Sequence, residues 1–373
     1  MRQTLLTFLP AILLTFLVAL AAVSLLAPRV RAFALRIGAV QHGGGRRVHQ
    51  GALPNVGGLA IFAGFVLAVL VASAFFGERS EPYRLQLWAI MLGAALMTLV
   101  GFMDDIWELP PFMRLLSQFV AAGLLVVNGV RIDFVTNYFF EGSPYLFFGE
   151  TLAVLITLLW VVGFTNAFNF IDGLDGLSSG MAAISSLSIL AVAVQLPDQG
   201  ATVLLLAALA GASLGFLRHN FNPAKIIMGD AGAYMIGYVL AAVSILGALK
   251  VTAAVTVAAP ILILALPVLN ITQVTVRRLS RGANPARAAN DHIHDLIRLR
   301  SGSQRFTVLV LWLATLGLGA LGMLIAQTPS ALIYLTVLSS VILLATTSAL
   351  RVRESGRERR SVEGPVPAAT DQP

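Results

Sequence analysis

Apolar residues run through this chain in long blocks broken by short polar interruptions. The blocks lie near 4–28, 55–76, 85–103, 114–130, 150–168, 174–196, 200–217, 231–249, 251–276, 306–327 and 330–350. An α-helix needs about 20 apolar residues to cross the hydrocarbon of a bilayer. A helix also satisfies its own backbone polar groups there. The pattern therefore predicts an all-α, polytopic integral membrane protein with about eleven transmembrane helices. The first block lacks a small-residue cleavage site and is longer than a signal h-region, so it is read as a helix.

The interruptions carry the remaining organisation. Residues 29–54 contain HGGGRRVHQGALPNVGG, whose glycines and proline mark irregular backbone. DDIWELPP is a short turn, and 277–305 is rich in Arg and His. Residues 131–149 are aromatic (Phe134, Tyr138, Phe139, Phe140, Tyr145, Phe147, Phe148), which suits an interfacial belt or a hairpin. No internal repeat stands out. The chain reads as one domain over 1–350, followed by a basic tail over 351–373 that is expected to be disordered.

Composition sharpens this picture. With 57% hydrophobic and 12% charged residues, an ordinary soluble domain is excluded. The absence of cysteine excludes a disulfide framework, a thiolate metal site and a thiol nucleophile. Of the 25 basic residues, one alternating set of loops holds only Arg2, Arg79, Arg84, Arg131 and Lys250. The rest fall on the other side, which is cytoplasmic by the positive-inside rule. The N-terminus is then outside and the C-terminus inside, in a multi-pass protein of the inner (plasma) membrane. No nucleic-acid partner is expected.

Five acids sit where acids are expensive. Asp104, Asp105, Asp172, Asp175 and Asp230 lie at the ends of apolar blocks, all on the predicted cytoplasmic side. An Asp at a helix centre costs roughly 2.5–3.5 kcal/mol on the insertion scale, less toward the interface. Such residues are functional hypotheses by default. Asp104 and Asp105 can point into one cleft from a helix end, one ligating a cation and the other taking a proton. The plain alternative is punctuation before Pro110 and Pro111, yet one Asp would suffice for that. In NAFNFIDGLDGL, Asp172 and Asp175 are spaced to project from one side of a helix. With Asn169 they suit hydrated Mg²⁺ or sugar and base hydroxyls, or simply cap a helix start. In FNPAKIIMGDAGAY, small residues flank Asp230, and Lys225 offers positive charge to a diphosphate. Mg²⁺ commonly binds through one or two carboxylates plus substrate phosphates. Arg277, Arg278 and Arg281, with His292 and His294, suit phosphate contact. Zinc is disfavoured without cysteine or HExxH.

Together these motifs, in order from RRVHQGALPNVGG to SGSQR, resemble the polyprenyl-phosphate N-acetylhexosamine-1-phosphate transferase family. The resemblance implies eleven spans with an outside N-terminus and an active site on the cytoplasmic face. It implies that Asp104 and Asp105 serve acceptor deprotonation and metal or phosphate positioning. Asn169, Asp172 and Asp175 match the nucleotide and diphosphate side, Asp230 the Mg²⁺ ligand, and Asn220 and Lys225 the strip leading to it. Arg47 and His49 match a basic entry motif, and His292 and His294 the H-x-H of the last large loop. Three positions depart from the family's pattern: Asp295 replaces a final histidine, Ala289 an aspartate and Ile227 an aromatic. The lack of a histidine run argues against the phospho-N-acetylmuramoyl-pentapeptide branch.

The resulting expectation is transfer of a sugar-1-phosphate, that of GlcNAc, from a UDP-N-acetylhexosamine to undecaprenyl phosphate. The cofactor is Mg²⁺, with Mn²⁺ as its substitute, and a homodimer is common in the family. An ion-coupled transporter or flippase is the reading from another class. It would place its acids near the midplane, in inverted repeats.

Overall fold

A computed structural model describes residues 2–44, 47–76, 84–136, 145–248, 261–262, 264–280 and 292–363. Side chains at 2–7, 42–51, 136, 248 and 356–363 are excepted. The apolar blocks form helices: α1 (Arg2–Ile37), α2 (Gly58–Phe76), α3 (Arg84–Trp107), α4 (Pro111–Val127), α5 (Glu150–Ile171) and α6 (Leu177–Ala193). They continue with α7 (Gly200–Asn220), α8 (Gly229–Ala248), α9 (Ala265–Leu279), α10 (Ile293–Ser301), α11 (Gln304–Ile325) and α12 (Ser330–Glu363). Eight of these are long and apolar enough to cross a membrane, and α4 and α6 are shorter apolar helices. The protein is thus a nearly all-helical, multi-pass membrane protein. The expected span over 251–276 lies partly outside the described residues.

Three expectations need correction. α1 does not stop near 28 but runs to Ile37. The stretch read as irregular folds in part into an antiparallel hairpin, β1 (Val40–Gly44) with β2 (Arg47–Pro54), which has an irregularity between His42 and Gly44. The tail read as disordered continues α12 as helix to Glu363, because nothing before that point breaks it. The aromatic loop forms a second hairpin, β3 (Phe134–Thr136) with β4 (Tyr145–Phe147), closed by contacts among Phe134, Tyr145 and Phe147.

Local chemistry sets several boundaries. Pro110 and Pro111 start α4, where a missing N–H and a fixed φ cost nothing. Gly302, at φ 67°, ends α10, and Ser303 then caps α11 by accepting from the Phe306 N–H at 3.3 Å. In lipid no hydrophobic force separates helix from solvent, so packing depends on close fit. The 18-residue apolar window of α7 is wholly buried and that of α8 is 89% buried, against 22% for α1 and α12. So α7 and α8 form the centre. α3 and α5 flank α8, which brings the C-terminal ends of both beside its N-terminus.

Candidate active site

The acids of three motifs converge at that end of the bundle. Asp104 and Asp105 come from the last turn of α3, Asp172 caps the C-terminus of α5, and Asp230 opens α8. All four line one cavity of about 580 Å³, together with Asn55, Glu108, Arg114, Asn169 and residues of β1.

Each carboxylate has distinct partners. Asp105 accepts the Asp230 N–H at 2.9 Å on one oxygen and the Ala231 N–H at 3.2 Å on the other. It therefore caps α8 from a neighbouring helix, using the orphan donors and positive dipole end of that terminus. Asp104 is buried and accepts from the Leu109 N–H at 2.7 Å, the Tyr234 hydroxyl at 3.2 Å and Arg114 Nη1 at 3.3 Å. Asp230 accepts from Asn169 Nδ2 and lies against the Asp104 carboxylate. Asp172 reaches Ser178, and burial pushes its carboxyl up to about 7, with the Asp175 charge adding to the rise. Five acids, Glu108 among them, thus share a cleft with one lining arginine, Arg114, an arrangement that calls for a cation or a cationic partner.

Other predicted site residues serve as braces. Asp175 is buried and accepts from Asn222 Nδ2 at 3.0 Å and the Ala224 N–H at 3.2 Å. Asn220 is buried too: it accepts from the Gly176 N–H at 2.9 Å and the Ser179 hydroxyl at 3.0 Å, and donates to the Ile226 carbonyl. These two residues tie the IDGLDGL turn to the strip 220–226. Lys225 pairs with Glu354 at 3.6 Å and does not line the cavity. The structure therefore brings Asp104, Asp105, Asn169, Asp172 and Asp230 together, and sets Asp175, Asn220 and Lys225 behind them.

The histidine motif packs on the C-terminal end of α5, next to Asp172, without lining the cavity. His292 stacks on Phe170 (centroids 5.8 Å apart) and on His294 (5.4 Å), while Asn270 reaches its Nδ1 at 3.2 Å. His294 packs on Gly173, where a Cβ would come within 2.3 Å of its Nε2. Burial holds the His294 imidazole down to about 3, with His292 and Arg298 repelling its charged form. Arg278 is buried in the last turn of α9. Arg47 and His49 fall on β2, and their side chains lie outside the described residues. Sequence reasoning missed Arg114, counted only as a loop charge, and Tyr234 and Asn55. Their spacing carries no signal: Asn55 and Arg114 line the cavity from different elements, and buried Tyr234 supports Asp104 from behind it.

Comparison with known proteins fits this geometry. A family model described as "Glycosyl transferase family 4" matches residues 87–248, the segment that holds all five acids. A Bacillus subtilis (strain 168) protein named probable undecaprenyl-phosphate N-acetylglucosaminyl 1-phosphate transferase is 35% identical over 305 residues, 81% of each chain. The chain belongs to glycosyl transferase family 4. It is an enzyme, as the family's members are. A Mycolicibacterium smegmatis member named decaprenyl-phosphate N-acetylglucosaminephosphotransferase is 34% identical, covering 78% of this chain and 77% of its own. A phospho-N-acetylmuramoyl-pentapeptide-transferase of Lactiplantibacillus plantarum is 34% identical over 52% of this chain and 61% of its own. The family match stops before the histidine loop, so that motif rests on its contact with Gly173 and Phe170.

Proposed function

We propose that the enzyme transfers N-acetylhexosamine-1-phosphate, as GlcNAc-1-phosphate, from a UDP-sugar to undecaprenyl phosphate in a Mg²⁺-dependent reaction. The observation that carries this reading is the single cavity in which Asp104, Asp105, Asp172 and Asp230 meet Arg114. The names of the relatives supply the acceptor class and the transferred group. The cavity opens to the cytoplasm of the inner membrane, where UDP-sugars are available, with the N-terminus outside.

One phosphoanhydride replaces another, so catalysis is mainly positioning and charge neutralisation. An oxygen of the prenyl phosphate attacks the sugar-side phosphorus. The bond from that phosphorus to the bridging oxygen breaks, and UMP leaves with the bond electrons. Asp104 or Asp105 takes any proton still on the acceptor phosphate. Arg114, anchored on Asp104, meets phosphate charge as it enters.

Among the described residues, no three His, Asp or Glu side chains stand close enough to hold a metal alone. The donor set fits Mg²⁺ all the same, since that ion takes hard oxygens and commonly completes its shell with water and substrate phosphates. Asp230 would hold it, with Asp104 and Asp172 beside it. Asp105, which the resemblance assigns with Asp104 to the acceptor and metal side, also receives a backbone amide on each oxygen and so holds α8 in place. When bound, the ion supplies charge neutralisation to the diphosphate.

The test is UMP release by purified protein given undecaprenyl phosphate, Mg²⁺ and UDP-GlcNAc, beside UDP-GalNAc and UDP-MurNAc-pentapeptide. Release that needs both lipid and Mg²⁺, and is fastest with UDP-GlcNAc, is expected. Folded protein that releases none from any donor would sink the reading.

A further inference from the structure

The strip that delivers Asp230 into the cavity is held from two sides. From the IDGLDGL turn, Asp175 accepts from Asn222 and Ala224, as described above. On the far side, Arg351 of α12 donates to the Pro223 carbonyl through Nε at 3.0 Å and through Nη2. One turn on, Glu354 pairs with Lys225 at 3.6 Å and with Arg218 at 2.9 Å. The strip then hydrogen-bonds to the end of β2 and the turn that leads into α2, Ile227 N–H to the Pro54 carbonyl (2.8 Å) and Gly57 N–H to the Ile227 carbonyl (3.0 Å). It ends at Gly229 and Asp230, where Asp105 takes over.

We propose that Arg351 and Glu354 are positioning residues for the reaction: they clamp the 222–225 turn so that Asp230 enters the cavity in register with Asp104 and Asp105. A positive-inside anchor explains basic residues after the last span, and that is the plain alternative. It does not explain why Arg351 is only 3% exposed, with two nitrogens on one carbonyl. Nor does it explain an acid, Glu354, facing two cations. An anchor needs charge in water, whereas a clamp needs directed bonds to one piece of backbone. Both residues lie outside the segment matched by the family model. The turnover readout rests on the function proposed above, and a second readout does not.

The experiment compares full-length wild type with Arg351→Ala, Arg351→Lys, Glu354→Gln and Arg353→Ala. Arg353 is exposed on the same turn, so its removal takes away equal charge without touching the strip. Hydrogen exchange of peptides covering 222–230 is read first, without substrate. Arg351→Ala is expected to speed exchange there by about tenfold while α3 is unchanged. In UMP release its kcat is expected to fall by about 10- to 100-fold with KM for UDP-GlcNAc within about twofold, the signature of misplaced reacting groups. Arg351→Lys is expected to recover part of both, Glu354→Gln to show a smaller change of the same kind, and Arg353→Ala to match wild type. Should Arg351→Ala fail to fold, Glu354→Gln is judged by the same criteria. Unchanged exchange in the strip overturns the clamp whatever the activity. Faster exchange with wild-type kcat overturns its role in positioning, and an equal loss in Arg353→Ala assigns the effect to charge and overturns it too. Wild type that releases no UMP sinks the functional reading alone, and the exchange comparison still decides whether the clamp exists.

Discussion

Asp105 and Gly229 act as a pair. The carboxylate receives the first amides of α8 because Gly229, at φ 73°, turns the chain so that those amides face α3. A Cβ on Gly229 would lie 1.8 Å from the Asn55 carbonyl oxygen and 2.5 Å from an Asp105 oxygen. Gly229→Ala is therefore expected to lower stability by about 1–3 kcal/mol from the left-handed φ alone, and to abolish UMP release by displacing Asp230. Thermal unfolding in detergent and turnover check this together, and wild-type turnover would contradict the arrangement. His294 offers a prediction in pH. Its folded value of about 3 lies below the unfolded value of about 6.5, so the unfolded chain binds the extra proton between them. Stability from this residue is whole above about pH 6.5 and is lost as pH falls toward 3, by up to about 1.4 kcal/mol per unit. Between pH 7.5 and 5.5 the melting temperature of wild type is expected to drop more than that of His294→Asn; equal drops would refute the burial argument. The acids themselves were legible in the sequence, because carboxylates beside apolar runs need a reason. Which of them faces the cavity was not, since Asp172 and Asp175 share one motif, and only the partners of Asp175 on the distant 222–224 strip turn it away.

At the level of elements, the site depends on how closely α3 approaches α8. Gly101 makes that approach possible: a Cβ there would stand 2.4 Å from the Ala231 nitrogen, which leaves no room for a side chain. Asp104 and Asp105 follow one turn later on the same helix, so the gap at Gly101 sets their distance from Asp230. Gly101→Ala is expected to push the helices apart and cost about 100-fold in kcat, as a misplacement near 1 Å can. A kcat within twofold of wild type would show that the helices yield without moving the acids. The helices were legible because an apolar run longer than a bilayer is thick has few other fates. The β1–β2 hairpin was not, because glycines that permit it equally mark a loop. The helical continuation of α12 was missed for a related reason: its charge resembled a solvated tail, while Arg351 and Glu354 have partners on the 222–225 turn and α7 that only tertiary structure supplies.

For the molecule as a whole, the decisive question is which side of the membrane the cavity faces. The last turn of α3, the end of α5, the start of α8 and the histidine helix α10 all meet at one end. Basic residues gather there, and Glu150, at the start of α5, belongs to the opposite end with its side chain 85% exposed. The natural chain has no cysteine, so single cysteines report position without background. Glu150→Cys is expected to react with a membrane-impermeant maleimide added to intact cells. Arg300→Cys, exposed on α10 at the same end of the bundle, is expected to react only after the membrane is opened. The reverse pattern would put the cavity outside, away from cytosolic nucleotide sugars, and would exclude the proposed donor even with every contact in the site intact. Labelling of both from outside would mean that α5 and α10 do not lie as described, since α10 is fixed to the C-terminal end of α5 by the packing of His294 on Gly173. The orientation predicted from charge and the grouping of the acids are independent observations, and this experiment joins them.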